Sequence, residues 1–446
     1  MVERPTQFEA PFFRHAARDP RHELRVLYTG SAPAAPVFDP ELGRAVAWGI
    51  DLVGGYPHAV APAAGRARWL AGELRRGGFD LLIVNGYTRP LYLLAALLAR
   101  RAGVATALRI DSVRWESAAT TRRLAEHVPE RRAQAAANGE RGSRDKRLRR
   151  VAAGAVLPRL FDLFLGVGSL TLDYLAALGV PPERRGLFPY AVDVDDFRAR
   201  SRLGAVEREA VRARLGLPPQ PATPETSAAA VAKAPAAPPA ATAATAATAA
   251  PEAAAPAGAP VEAPAPPAPL AILAVAKLNQ REAPWDLLRA LPHLPPRAHL
   301  VLAGDGPARA EMERLAAALG AGRVHFLGYV PYGELPALYA AADLFVHAAA
   351  EERWGVSVAE ALACGLPVVA SSRVGAAYDL LAAGANGWIY EAGDDAGLGR
   401  RATQALALDR RTVQATNREV LARWDYDASW RHILDAAGRI VRGSAP

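Results

Sequence analysis

Nine short apolar runs recur along the chain, most of them followed by a stretch with helical spacing. Four lie in the first half: Glu23–Gly30, Phe79–Tyr87, Val104–Ser112 and Phe161–Ser169. Five lie in the second: Leu270–Leu278, Ala298–Gly306, Arg323–Val330, Asp343–Ala349 and Pro367–Ser372. Runs of this length, rich in Val, Leu and Ile and bounded by glycine or polar residues, are strands. Strands that alternate with helices require parallel sheets covered on both faces. The expected fold class is therefore α/β, with two Rossmann-like parallel-sheet domains. Ligands of such sheets bind beyond the carboxyl ends of the strands, and here those ends are expected to face a shared cleft.

The halves are separated by a tract unlike the rest, from about Pro218 to Pro269, made almost wholly of Ala, Pro and Thr. It has no aromatic residue and no periodicity, so it cannot bury enough apolar surface to offset its ordering entropy. The expected organisation is an N-terminal domain over 1–200 and a connection over 201–269 that carries this disordered insertion. A C-terminal domain over 270–425 follows, and then a final helix over 426–446 that packs across both domains.

The 446 residues carry a net charge of +8, supplied mainly by arginine, and one cysteine, Cys364. No intrachain disulfide is possible, and a reducing, cytoplasmic setting is expected. A basic surface attracts phosphorylated ligands, nucleic acid or anionic lipid. The basic run Arg141–Arg150 lacks interleaved aromatics, which argues against nucleic acid. Apolar runs such as Leu91–Ala99 fall short of the roughly 20 residues that span a bilayer, and the charged N-terminus is not a signal peptide. Membrane contact, if there is any, is expected to be peripheral.

The histidines show no metal-ligand spacing, and no nucleophile motif is present. Asp193 and Asp195 of "VDVDDF" form an Asp-x-Asp pair, which is read as a turn leaving the first domain. Gly304 and Gly306 of "LVLAGDGP" permit a tight turn after a strand, without completing a dinucleotide fingerprint. The most informative stretch is "EERWGVSVAEALACGLPVVASS". Gly355 can start a helix whose first N–H groups are free to meet phosphate. Glu352 precedes that helix and Glu360 lies within it. A carboxylate can accept from two neighbouring sugar hydroxyls, so two of them beside a phosphate site suit a nucleotide-sugar. Lys277 and Arg281, after another strand, can meet the diphosphate. A solvated amphipathic helix is the competing reading.

These segments, together with "VAKLNQREAPWDLLRAL" and "VGAAYDLLAAGANGWIYEAGD", resemble glycosyltransferase family 4, the retaining enzymes of GT-B architecture. The resemblance runs from about Leu270 to Tyr390, with "PYAVDVDDF" similar to the family's exit from the first domain. It implies transfer of a hexose-type sugar from a UDP- or GDP-linked donor to a hydroxyl of a glycan, lipid or small molecule. It implies that Glu352 contacts the transferred sugar and Glu360 the ribose. Lys277 and Arg281 meet the diphosphate, the Val330 backbone meets the base, and Gly375 lies near the donor phosphates. Gly355, Gly304 and Gly306 are included in the donor site. No cofactor or metal is implied. Glu282 stands where the family usually has lysine, and Ala348 and Ala349 replace the usual Pro-Ser. Asp111, with Arg109 and Ser112, stands where the family often has a histidine, and Asp111 is taken as the candidate there. Two alternatives stay open: a nucleotide-sugar epimerase or phosphorylase on the same architecture, and a non-catalytic sugar-nucleotide-binding or polysaccharide-assembly protein.

Overall fold

The computed structural model describes residues 1–30, 37–39, 42, 44–46, 49–128, 154–219, 267–319 and 321–441. The basic run Arg141–Arg150 and all but the edges of the Ala/Pro tract lie outside these residues.

The C-terminal sheet contains β9 (Leu270–Val275), β10 (Ala298–Ala303), β11 (Val324–Gly328), β12 (Leu344–His347), β13 (Val368–Ser371) and β14 (Gly387–Tyr390). All neighbours are parallel, in the order β11-β10-β9-β12-β13-β14. Every residue of β10, β12 and β13 is buried, because helices cover both faces and both sides of each strand must be apolar. The chain winds outward from β9 in one direction, then returns beside β9 at β12 and winds in the other. That reversal opens a crevice between the ends of β9 and β12.

In the N-terminal domain, β5 (Leu81–Asn85), β6 (Ala105–Ile110), β7 (Leu163–Gly166) and β8 (Arg185–Leu187) form a parallel sheet in chain order. A parallel pair, β1 (Val26–Tyr28) with β4 (His58–Val60), stands beside it. Residues 1–3 fill the strand position between the two. Val2 N–H donates to Leu27 O at 3.0 Å, Thr29 N–H to Val2 O at 3.0 Å, and Asn85 N–H to Met1 O at 3.1 Å. The two sheets thus continue one another through a segment with no strand signature of its own. A short antiparallel hairpin, β2 (Val37–Asp39) with β3 (Arg44–Val46), lies between β1 and β4 in the chain.

Of the stretch expected to connect the domains, the helix Ala205–Arg214 packs on the C-terminal helix Leu335–Ala341. The Arg212 side chain, fully buried, donates to Ala341 O at 2.8 Å and to Pro269 O at 2.7 Å and pairs with Asp343 at 3.1 Å. The final helix, Tyr426–Val441, returns to the N-terminal domain and lies along β8 and the helix Glu9–Ala16. There Trp430 Nε1–H donates to Asp19 at 3.0 Å. A single apolar cluster runs from Val167, Leu170 and Val192 of the first domain to Trp354 and Val374 of the second, so the domains share buried surface.

Candidate active site

Four loops follow the strands at the crevice, and main-chain hydrogen bonds tie each to the next. Leu278 N–H, after β9, donates to Asp305 O, after β10, at 2.9 Å. Ala350 and Glu351, after β12, donate to Arg281 O at 2.8 and 3.2 Å. Glu352 N–H donates to Arg373 O at 2.8 Å, and Gly375 N–H, after β13, returns a bond to Glu352 O at 2.9 Å.

Glycines make this close stacking possible. A Cβ on Gly304 would lie 1.8 Å from Ala276 O, and one on Gly375 2.0 Å from Arg353 O. Gly306 is similarly pressed on Leu278 O. These three are positions of close backbone approach. Gly355 differs: its φ of +99° turns the chain into the helix Val356–Ala363.

Lys277, Arg281 and Glu352 all lie on these crevice loops, and the Arg281 charge acts on Glu352. Lys277 Nζ reaches across the domains to Asp39 at 2.9 Å. Arg281 pairs with Glu282 at 3.2 Å. Burial raises the Glu352 carboxyl above its ordinary range, opposed by the Trp354 N–H at 3.2 Å and by Arg281, and assisted by Asp111. Asp111, at the end of β6, faces this loop and pairs with Arg353 at 3.3 Å. Arg109, its neighbour, is locked away. It is 2% exposed, pairs with Glu9 at 2.8 Å, donates to Phe188 O and Pro189 O, and lies over the Phe188 and Tyr190 rings.

Glu360 occupies a separate place. It is buried on the helix Val356–Ala363, and its Oε2 accepts from the Tyr339 hydroxyl at 2.9 Å. Burial pushes its carboxyl up to about 7, with the Tyr339 bond opposing. Val330, after β11, is half-buried against the apolar cluster that also holds Val358, Ala361 and Leu362 of this helix. Asp193 is the N-cap of the helix Val194–Arg200, accepting from Asp196 N–H at 2.9 Å, in keeping with a turn.

Several residues here carried no sequence signal. Asp39 lies on a hairpin with no motif. Glu116 pairs with Arg373 at 3.2 Å across the cleft. Trp354, by contrast, stands at a usual aromatic position of the resembled motif; it donates to Tyr190 O at 3.1 Å and packs on Trp424 with ring centroids 5.1 Å apart. Asp379 accepts from Ser169 N–H at 2.9 Å, at the start of the helix Ser169–Ala177. Burial pushes its carboxyl up to about 6, partly offset by that bond. His347 is buried beside Glu282.

The family model "Glycosyl transferases group 1" matches residues 261–420, which hold the whole C-terminal sheet and its crevice loops. Over this stretch the chain is similar to the glycosyl transferases group 1 family. Its curated relatives include a 2-deoxystreptamine N-acetyl-D-glucosaminyltransferase of Streptomyces fradiae, 34% identical over 157 residues, 34% of this chain and 37% of that protein. The O-antigen chain mannosyltransferase B of Escherichia coli is 35% identical over 117 residues, 26% of this chain and 25% of that one. The chain thus spans about a third of the length of the curated relatives it matches. Solved structures align over both domains. A glycosyltransferase from Rickettsia africae has a TM-score of 0.64 at 12% identity, covering 99% of this chain and 98% of that one. Anabaena HepE, solved with UDP, has a TM-score of 0.58 at 18% identity, covering 86% and 87%. At these identities the likeness shows the fold, which is GT-B.

Proposed function

We propose that this chain is a retaining glycosyltransferase that moves a hexose-type sugar from a nucleoside-diphosphate donor to an acceptor hydroxyl. The observation that carries the proposal is the crevice between β9 and β12. It places Lys277, Arg281 and Glu352 on loops stitched by backbone, beside a helix start at Gly355. Positive charge and unused N–H groups suit a diphosphate.

In the reaction, the bond from sugar C1 to the diphosphate oxygen breaks and a bond from C1 to the acceptor oxygen forms. The acceptor's proton leaves to the departing phosphate or to solvent. Lys277, Arg281 and the helix start stabilise the charge that grows on the leaving diphosphate. For Lys277 this requires sharing or exchanging its bond to Asp39. Glu352 orients the transferred sugar, and Asp111 contributes from the acceptor side. Gly375, Gly304 and Gly306 act by letting the loops approach. Glu360 holds the ribose through Oε1, which accepts no hydrogen bond among the described residues, and the Val330 backbone meets the base.

The donor class is supported by HepE, solved with UDP and with UDP-glucose, and by a GDP-mannose-dependent relative from Mycolicibacterium smegmatis. That relative is a phosphatidylinositol monomannoside mannosyltransferase, and others are a 2-deoxystreptamine N-acetyl-D-glucosaminyltransferase and an O-antigen chain mannosyltransferase, in keeping with a glycan, lipid or small-molecule acceptor here. No helix of the described residues is long and apolar enough to cross a membrane. The proposed setting is the cytoplasm, with peripheral contact to an anionic membrane face where the acceptor is a lipid.

Calorimetry with UDP and GDP, followed by assays with the matching nucleotide-sugars, tests the reading. Binding of one nucleotide and slow donor hydrolysis with release of the sugar are expected. Conversion of the donor to an isomeric nucleotide-sugar would favour the epimerase. Binding without turnover under any acceptor screen would favour a non-catalytic binder.

A further inference from the structure

A cavity of about 300 Å³ opens at the C-terminal end of the helix Val356–Ala363, between the helices Val194–Arg200 and Arg410–Leu421. Three arginines line it, Arg198 and Arg202 on one side and Arg418 on the other. Among the described residues no carboxylate lines it. The acids close by in the chain are engaged: Asp195 pairs with Arg198 at 3.1 Å, Asp196 with Arg200 at 3.1 Å and Glu419 with Arg423 at 3.0 Å. Arg202 and Arg418 have no side-chain partner among the described residues. A concavity lined by one sign of charge focuses the field and draws in counter-ions.

The floor of the cavity does not oppose an anion. A helix C-terminus carries partial negative charge on its last carbonyls. Here Asn417, 2% exposed, donates from Nδ2 to Leu362 O at 3.1 Å and to Leu366 O at 3.0 Å, and Gly365 N–H donates to Leu362 O at 3.0 Å. Burial pushes the Cys364 thiol up to about 12, so it is uncharged at neutral pH. We propose that this cavity binds the phosphomonoester of a small hydroxylated molecule, a sugar phosphate. The guanidinium forks match the phosphate oxygens, and the exposed Asp195 can yield its share of Arg198. The volume is that of a small-molecule pocket rather than of a lone phosphate. Ser201 and Gln414, which also line it, offer hydrogen bonds to hydroxyls. The site lies apart from the donor crevice. Gly355 starts the eight-residue helix at the crevice and Cys364 ends it at the cavity, so the two places are about 12 Å apart. The inference does not depend on the transferase reading, because no nucleotide takes part.

The test is calorimetry on the full chain at physiological salt, with ribose 5-phosphate and glucose 6-phosphate as probes and inorganic phosphate and glucose beside them. One sugar phosphate per chain is expected, held at least about tenfold more tightly than inorganic phosphate, with no binding of glucose. Arg202→Gln and Arg418→Gln should each weaken it by about tenfold or more, the usual cost of a charged hydrogen bond. Both side chains are exposed, so the melting temperature should not change. Arg75→Gln makes the same charge change on the helix Arg66–Arg76 of the other domain and should leave binding unchanged. No saturable binding of either sugar phosphate, inorganic phosphate bound as tightly, or an equal loss in Arg75→Gln would each overturn the proposal. Failure of UDP and GDP to bind, with the sugar phosphate still held through Arg202 and Arg418, would sink only the transferase reading.

Discussion

In the C-terminal domain the crevice loops hold one another through main-chain bonds and glycine contacts, whereas the N-terminal domain reaches them through side chains. Asp39, Asp111 and Glu116 pair with Lys277, Arg353 and Arg373, and each pair is at least partly exposed. Backbone stitching fixes positions to fractions of an ångström. Exposed ion pairs are typically worth no more than about 1 kcal/mol each and can exchange partners. One wall of the cleft is therefore preset, and the other is adjustable, as suits a fixed donor and a varied acceptor.

The largest expected effect is on turnover. Glu352→Gln should lower kcat by about 10²–10³-fold, the usual size of losing a preset polar contact to the reacting centre. Asp111→Asn, on the adjustable wall, should cost under about tenfold. Equal losses in steady-state kinetics would break the contrast between the walls.

Next in size is binding. Glu360→Ala should weaken nucleoside-diphosphate affinity by about 10- to 100-fold, because a bond to a charged group is worth roughly 1.5–3 kcal/mol. Its effect on kcat should be smaller, since the ribose does not react. Calorimetry beside kinetics checks both. The same residue sharpens the comparison through pH. Its folded carboxyl titrates near 7, above the unfolded value of 4.5, so its contribution favours the fold at low pH and is lost as pH rises through 7. Glu360→Gln should therefore raise the melting temperature at pH 8 and give no gain near pH 4.5.

A moderate effect is expected at the contact between domains. A Cβ at Gly168 would meet the Trp354 ring at 2.3 Å and Asp379 Oδ2 at 2.6 Å. Gly168→Ala should raise KM several-fold by holding the domains apart, while the C-terminal domain keeps its nucleotide affinity. Parallel loss of both would mean that the domains form a single stiff body.

The C-terminal wall was legible because its constraints are local. Apolar runs gave the strands, and Glu352, Gly355 and Glu360 fall within nine residues. The N-terminal wall was not, because its polar groups come from distant points. Asp39 sits on a hairpin without a motif, and residues 1–3 become a strand only through neighbours at Leu27 and Asn85. Arg109, a natural suspect by position, turned out to be bound to Glu9 beneath the surface. Glu282 was legible only as a departure from the expected pattern.

The smallest effect should follow from shortening the Ala/Pro tract. Replacing Pro221–Ala265 by a short Gly/Ser connector should leave turnover within a few-fold, since closure cost changes by only about 0.6 kcal/mol per doubling of length. A folded but inert product would give the tract a part in the reaction and undo the assignment of the chemistry to the two walls.

Arg212 fastens the far end of that tract, at Pro269, to a helix that itself packs on the helix Leu335–Ala341 of the C-terminal domain. Departure and re-entry therefore share one anchorage. A fluorescent protein or affinity handle spliced between them would travel with the donor half as a passenger. Paired with a second dye on the opposite half, it would report the opening and closing of the cleft without touching either wall.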